Sequence, residues 1–285
     1  MDIKEIGPRY MVDYLTNDLE GTTYESLIVE SISKTEKLDL PDDRAVIEEY
    51  WKALGLAHEC TVEEHDGETS KETKFSGLSP DDIELVKSTK EQGFEFIKTE
   101  ASDFRRLQIA GKILNYEVLC VNEFSSDRKR MSIILIDGEL IKMYIKGADS
   151  EIEKRLDKKG NNEQFIDQSK NYIKYFSNMG FRTLMVGMKI IGREEFEEYY
   201  KGIQEAGMLS SEKKKEKLEK LNDNIERNVF LLGATIVEDK LQDQVPETIR
   251  DLRLAGVKVW MLTGDKLTTA KNIGKILKNK IYLLY

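Results

Sequence analysis

The chain has 285 residues, 40% hydrophobic and 34% charged, which fits one large domain plus part of a second and excludes wholesale disorder. Its 44 Lys and Arg against 53 Asp and Glu give a net charge of −9, which argues against a nucleic-acid-binding surface but leaves room for a local basic pocket that holds phosphates. Cys60 and Cys120 stand in no metal or redox spacing, and no uncharged apolar run approaches the roughly 20 residues that span a bilayer, so the chain taken alone reads as soluble, reduced and intracellular.

The first fifteen residues lack the basic and apolar regions of a signal peptide. Residues 1–44 are polar and read as two short strands and a loop. From Asp43 to Ala57, Val46, Ile47, Tyr50, Trp51 and Leu54 fall at helical spacing, which predicts an amphipathic helix. Residues 63–74 read as a charged loop. Ser79-Pro80-Asp81-Asp82 then opens a second helix, with proline and acids in its first turn.

Strand signals dominate the middle. Residues 116–124 alternate as a half-buried strand, and residues 131–136 and 140–145 are β-prone runs joined at Asp137-Gly138, a pair suited to a tight hairpin. Phe165, Ser169, Tyr172, Ile173 and Phe176 share one helical face that ends at Gly180, and residues 182–189 form another strand. Residues 193–227 are highly charged, with Lys213-Lys214-Lys215 at their centre, and read as a solvated helical pair.

At Val229 the pattern changes. Residues 229–237 and 257–262 read as buried strands, with a helix over 245–254 between them and another over 268–277. Strand, helix and strand with so short a crossover predict a right-handed parallel unit. Ligands of such sheets bind outside the carboxyl ends of the strands, which nominates Thr263-Gly264-Asp265.

Four ordered segments carry a resemblance. They are Ser79-Pro80-Asp81-Asp82 with Leu85-Val86 and Gly93-Phe94; Phe124-Ser125-Ser126-Asp127-Arg128-Lys129-Arg130-Met131-Ser132; Lys146-Gly147-Ala148 followed by Gly180-Phe181-Arg182-Thr183-Leu184; and Glu238-Asp239-Lys240-Leu241-Gln242 with Val245-Pro246-Glu247-Thr248 and residues 260–266. Any one is weak; four in order, over about two-thirds of the chain, are specific. Together they resemble the type IV P-type ATPases, the phospholipid flippases. The resemblance implies an α/β fold of the α+β kind: an antiparallel-sheet nucleotide-binding domain over 1–230, then over 231–285 a partial phosphorylation domain of the haloacid-dehalogenase type. Neither the phosphorylated-aspartate motif DKTGT nor the magnesium-binding GDGxND motif is present, so the chain reads as a piece lying between them. The tail over 275–285 departs from the family's usual continuation.

The resemblance also implies roles. Phe124 becomes the aromatic platform for adenine, where an unaided reading gives core packing. Lys146 complements the nucleotide's charge, with Gly147 and Ala148 leaving it room against the backbone. Arg182 contacts ATP phosphates. Asp82 stands where the family usually has Glu, one methylene longer, so its contact with the adenine amino group is expected to pass through water. Ser126 and Lys129 are secondary contacts, and Asp239 is a hinge or nucleotide-side residue. Thr263, Gly264 and Asp265 border the phosphoryl site; without the family they are a turn with an N-cap. No metal ligands are assigned, and His58 and His65 are given no chemistry. ATP with Mg2+ is the implied cofactor. The implied partners are a phospholipid, handled by membrane helices absent here, and an accessory membrane subunit, with no nucleic acid. The intact protein is expected to be a multi-pass membrane enzyme whose segment here faces the cytosol and is inactive alone. A flippase-like regulatory or scaffolding domain is the alternative, and a soluble haloacid-dehalogenase phosphatase fits poorly because such enzymes carry no KGA-bearing domain.

Overall fold

A computed structural model describes residues 43–62, 74–100, 104–161, 163–238, 243–262 and 282–284. The readings for residues 1–42 and 63–73 and for the helix over 268–277 lie outside these. The amphipathic run folds as helix α1 (Asp43–Leu56), which buries Val46, Trp51 and Leu54. Two short strands, β1 (Thr61–Val62) and β2 (Phe75–Ser76), pair antiparallel. Helix α2 (Pro80–Glu91) begins as the sequence predicts: the Asp82 N–H donates to the Ser79 hydroxyl (3.2 Å), and Pro80 needs no donor in the first turn.

Seven antiparallel strands follow in one sheet, and their spatial order is their chain order. They are β3 (Phe94–Glu100), β4 (Phe104–Ile109), β5 (Lys112–Asn122), β6 (Arg130–Asp137), β7 (Leu140–Gly147), β8 (Arg182–Ile191) and β9 (Phe230–Val237). Helices α3 (Asp149–Glu153) and α4 (Glu163–Asn178) fill the connection from β7 to β8. Helices α5 (Arg193–Gly207) and α6 (Ser211–Ile225) fill that from β8 to β9. β6 is buried at six consecutive positions, as is β9, so both faces of the sheet are covered.

Two turns are tighter than a general loop signal implies. Asp137 pairs with Leu140, so the hairpin's central residues are Gly138-Glu139 rather than Asp137-Gly138; Gly138 at φ +63 leads a turn of the primed kind that matches strand twist. Ile109 pairs with Lys112 around Ala110-Gly111, both at positive φ (+47 and +79).

The parallel unit sits elsewhere than expected. Phe230–Val237 pairs antiparallel with β8 and closes the seven-stranded sheet. The parallel partner of β10 (Trp260–Leu262) is instead β11 (Tyr282–Leu284), drawn from the unusual tail. Helix α7 (Val245–Leu254) precedes β10 and has no buried residue, and Val257 and Trp260 are about half exposed, not buried. An eight-residue apolar run reads alike in a parallel and a two-side-covered antiparallel sheet, which is why pattern alone misplaces it. No described helix is long and apolar enough to cross a membrane.

Candidate functional site

β5 and β7 run toward Asn122 and Gly147, while β6 and β8 start at Arg130 and Arg182. Antiparallel order therefore gathers these four termini, with the segments flanking them, at one end of the sheet. Six of the site residues expected from sequence, Asp82, Phe124, Ser126, Lys129, Lys146 and Arg182, lie there or beside it.

Alternation along β7 decides what Lys146 sees. Lys142, Tyr144 and Lys146 lie on one face, under α1 and α2, and Lys146 Nζ donates to Asp82 Oδ1 of the α2 first turn at 2.7 Å. The lysine is 3% exposed, so the pair sits largely out of water. Arg182, at the start of β8, donates through Nη1 to Asp81 Oδ1 at 2.8 Å. Adjacent carboxylates of one helical turn thus hold the two cations. Asp82, expected to reach the base only through water, is engaged with Lys146, which the shorter side chain still reaches.

Phe124 lies two residues past the end of β5 and is 58% exposed, which excludes core packing as the reason for a phenylalanine at that position. Its N–H donates to Glu59 Oε1 (3.4 Å). The following loop is bonded to itself: the Lys129 N–H donates to the Ser125 carbonyl (2.7 Å), and the Arg128 N–H to the Ser125 hydroxyl (3.2 Å). Ser126 and Lys129 are exposed. Lys129 has φ +52, and its carbonyl accepts from the Ala148 N–H (2.9 Å), joining this loop to Lys146-Gly147-Ala148.

Gly147 also serves a need that its sequence context does not announce. A Cβ there would lie 2.6 Å from the Lys129 carbonyl oxygen and 2.5 Å from the Arg130 Cβ. The missing side chain lets two protein segments close on each other.

His58, left without chemistry by sequence, is fully buried beneath this end. The Cys60 N–H donates to its Nδ1 (3.1 Å), so Nε2 carries the proton and donates to the Gly55 carbonyl (2.9 Å). Burial, reinforced by the Arg105 and Lys146 charges, holds the ring's pKa well below its ordinary value. Burial and then the Asp82 carboxylate push the Cys60 thiol up to about 11, so it stays a protonated, unreactive thiol. These residues build a floor.

Sequence reasoning missed Asp81 as the Arg182 partner, Glu59, and Glu226, a fully buried carboxylate within the run read as solvated. Asp81 lay inside a motif already singled out. Nothing local marked Glu226 among so many acids. Asp239, Thr263, Gly264 and Asp265 lie outside the described residues.

An exposed aromatic ring beside two carboxylate-held cations at a sheet end suits a planar base with an anionic tail. Comparison with known proteins gives the family. A family profile described as P-type ATPase, cytoplasmic domain N, matches residues 46–244. This chain belongs to the P-type ATPases. Its relatives include a phospholipid-transporting ATPase of Schizosaccharomyces pombe, 39% identical over 79% of this chain and 16% of that protein. Phospholipid-transporting ATPase IC of Xenopus tropicalis is 36% identical over 98% of this chain and 22% of its own length. Phospholipid-transporting ATPase DRS2 of Saccharomyces cerevisiae is 38% identical over 82% and 17%. The type IV assignment made from the four segments stands, and the antiparallel domain N predicted from it is the seven-stranded sheet. The chain spans about a fifth of the length of these curated relatives or less.

Proposed function

We propose that this chain is the ATP-binding cytosolic part of a membrane pump that moves phospholipid between leaflets, driven by an aspartyl-phosphate formed on an aspartate outside residues 1–285. The observation that carries the reading is the juxtaposition of exposed Phe124 with the Lys146–Asp82 and Arg182–Asp81 pairs. Adenine stacks on the Phe124 ring, a contact worth about 1–3 kcal/mol. The triphosphate competes with Asp81 for Arg182, whose planar fork suits oxyanions, while Lys146 adds a buried positive charge beside the base. Asp82 orients that ammonium. Ser126 and Lys129 border the same loop as secondary contacts. Mg2+ bound with the nucleotide would offset charge on the phosphates, and its protein ligands would come mostly from outside residues 1–285.

In the same reading a second domain begins after Val237 rather than at 231, with Asp239 at the hinge and Thr263-Gly264-Asp265 bordering the phosphoryl group. The domain faces the cytosol on membrane helices contributed by other parts of the protein, and an accessory membrane subunit belongs to the same proposal. Calorimetric titration of ATP tests the site. Phe124→Ala and Lys146→Ala should each weaken binding about tenfold or more. If both variants fold and bind ATP as the parent does, the site is misassigned. Incubation with radiolabelled ATP and Mg2+ should leave no hydroxylamine-labile label on this chain alone, because it lacks the nucleophile.

A further inference from the structure

We infer that Glu226 is a positioning residue for the nucleotide loop: from the far side of the sheet it sets where the Phe124 ring stands relative to Lys146. The inference rests on the ATP-binding reading above.

Glu226 caps the carboxyl end of α6 and is fully buried. A buried carboxylate must have donors around it, and this one has three. Arg130 Nε donates to Oε2 (2.6 Å), Ser132 Oγ to Oε1 (2.7 Å), and Arg128 Nη2 also to Oε1. All three donors belong to the segment that follows Phe124, more than ninety residues earlier in the chain. Arg128 in turn donates to the Glu123 carbonyl (3.2 Å), beside Phe124, and Arg130 to the Arg128 carbonyl (3.0 Å). Between the two arginines stands Lys129, whose carbonyl grips the Ala148 N–H. One carboxylate therefore fastens the loop at both guanidinium groups, and the loop links Phe124 to the Lys146 strand.

The arginines are not a second phosphate site. They line an open groove of about 1010 Å³ together with α6, and its walls carry cations and carboxylates in equal number, six each. Arg130 and Arg155 both reach Asp223 there as well. The charge is already balanced, so what the cluster supplies is position.

The consequence is selective. Loosening the loop should remove the contribution of the ring and leave the phosphate contacts alone. The test titrates the whole chain with ATP and with inorganic tripolyphosphate, which has no base. In Glu226→Gln, ATP should bind on the order of tenfold more weakly, while tripolyphosphate changes less than about twofold. In a Phe124→Ala background, Glu226→Gln should have no further effect on ATP. If Glu226→Gln does not fold, Arg128→Gln carries the same expectation from a less buried partner. A parent that binds both ligands, with a variant that binds ATP unchanged or loses both equally, sinks this inference alone. A parent that ignores ATP sinks the nucleotide reading and this inference with it.

Discussion

One face of β7 carries two polar clusters that differ in kind. Toward the Gly138 turn, Glu49 of α1 accepts from Lys142 Nζ (2.8 Å) and Tyr144 Oη (2.6 Å), Lys142 also reaches Asp137 (2.7 Å), and Lys52 lies within 3.4 Å of Glu49 and 3.6 Å of Asp137. Toward Gly147, Lys146 has Asp82 as its one ion-pair partner among the described residues. The first cluster is a mesh in which every charge is held more than once, and no incoming ligand replaces it. The second is a pair that a single competing charge can reorganise. Redundancy of partners separates polar groups that hold a fold from polar groups that exchange.

That contrast can be broken most directly at Glu49. Glu49→Ala removes the carboxylate that Lys142, Lys52 and Tyr144 share, leaving the lysines to Asp137 and Glu48, and should cost about 1–3 kcal/mol in urea unfolding, with ATP affinity of the folded protein unchanged. A loss below about 1 kcal/mol would mean the mesh holds nothing. Phe124→Ala should do the reverse, weakening ATP while moving stability by less than about 0.5 kcal/mol, because the ring is largely exposed.

Acid should also tell the ends apart. Folded His58 resists a proton that the unfolded histidine accepts near about pH 6.5, so its contribution is complete above that pH and is lost as pH falls below it. The slope is at most about 1.4 kcal/mol per pH unit, or about 2 kcal/mol between pH 6.5 and 5. Burial works to raise the Asp137 carboxyl, but its bonds and charge contacts with Lys142 and Lys52 outweigh that and hold it low. Its contribution persists until pH falls below the ordinary carboxylate range. Urea midpoints at pH 7 and 5 should therefore drop in the parent and flatten in His58→Gln; an equal drop in both would move the effect elsewhere.

The smallest effect concerns two residues at positive φ, one near each end. Ala110→Gly relieves the Ala110-Gly111 turn and should add about 0.5–1 kcal/mol to stability without touching ATP. Lys129→Gly relieves a similar backbone, but in the loop that carries Phe124, so ATP should weaken. Equal ligand behaviour of the two variants would blur the distinction between the ends.

Local elements were legible in the sequence because their causes are local. Ser79 and Pro80 announce a helix start, and the spacing of Val46, Tyr50, Trp51 and Leu54 announces α1. Phe124, Lys146 and Arg182 were found through family wording, and the sheet end that unites them is a fact of strand order. Pairings such as Arg182 with Asp81, 101 residues apart, or Glu226 with Arg130, 96 apart, have no local sign. Gly147 shows the sharpest limit. Its smallness was legible and the close approach of Lys129 and Arg130 was not, since what a glycine makes room for is decided by whatever packs against it.

The agreement of strand order with chain order bears on synthesis. A growing chain can add each strand to the one completed just before it, without waiting for a distant partner, which favours assembly as residues emerge. Helix α1 is the exception. It precedes the sheet in the chain, yet it packs on β8 and β9, and its Tyr50 hydroxyl donates to the Ala234 carbonyl (3.0 Å), 184 residues later. Until β9 leaves the ribosome, α1 lacks part of the cover the finished sheet gives it, and a chain halted before residue 230 leaves that part of the helix open to chaperones.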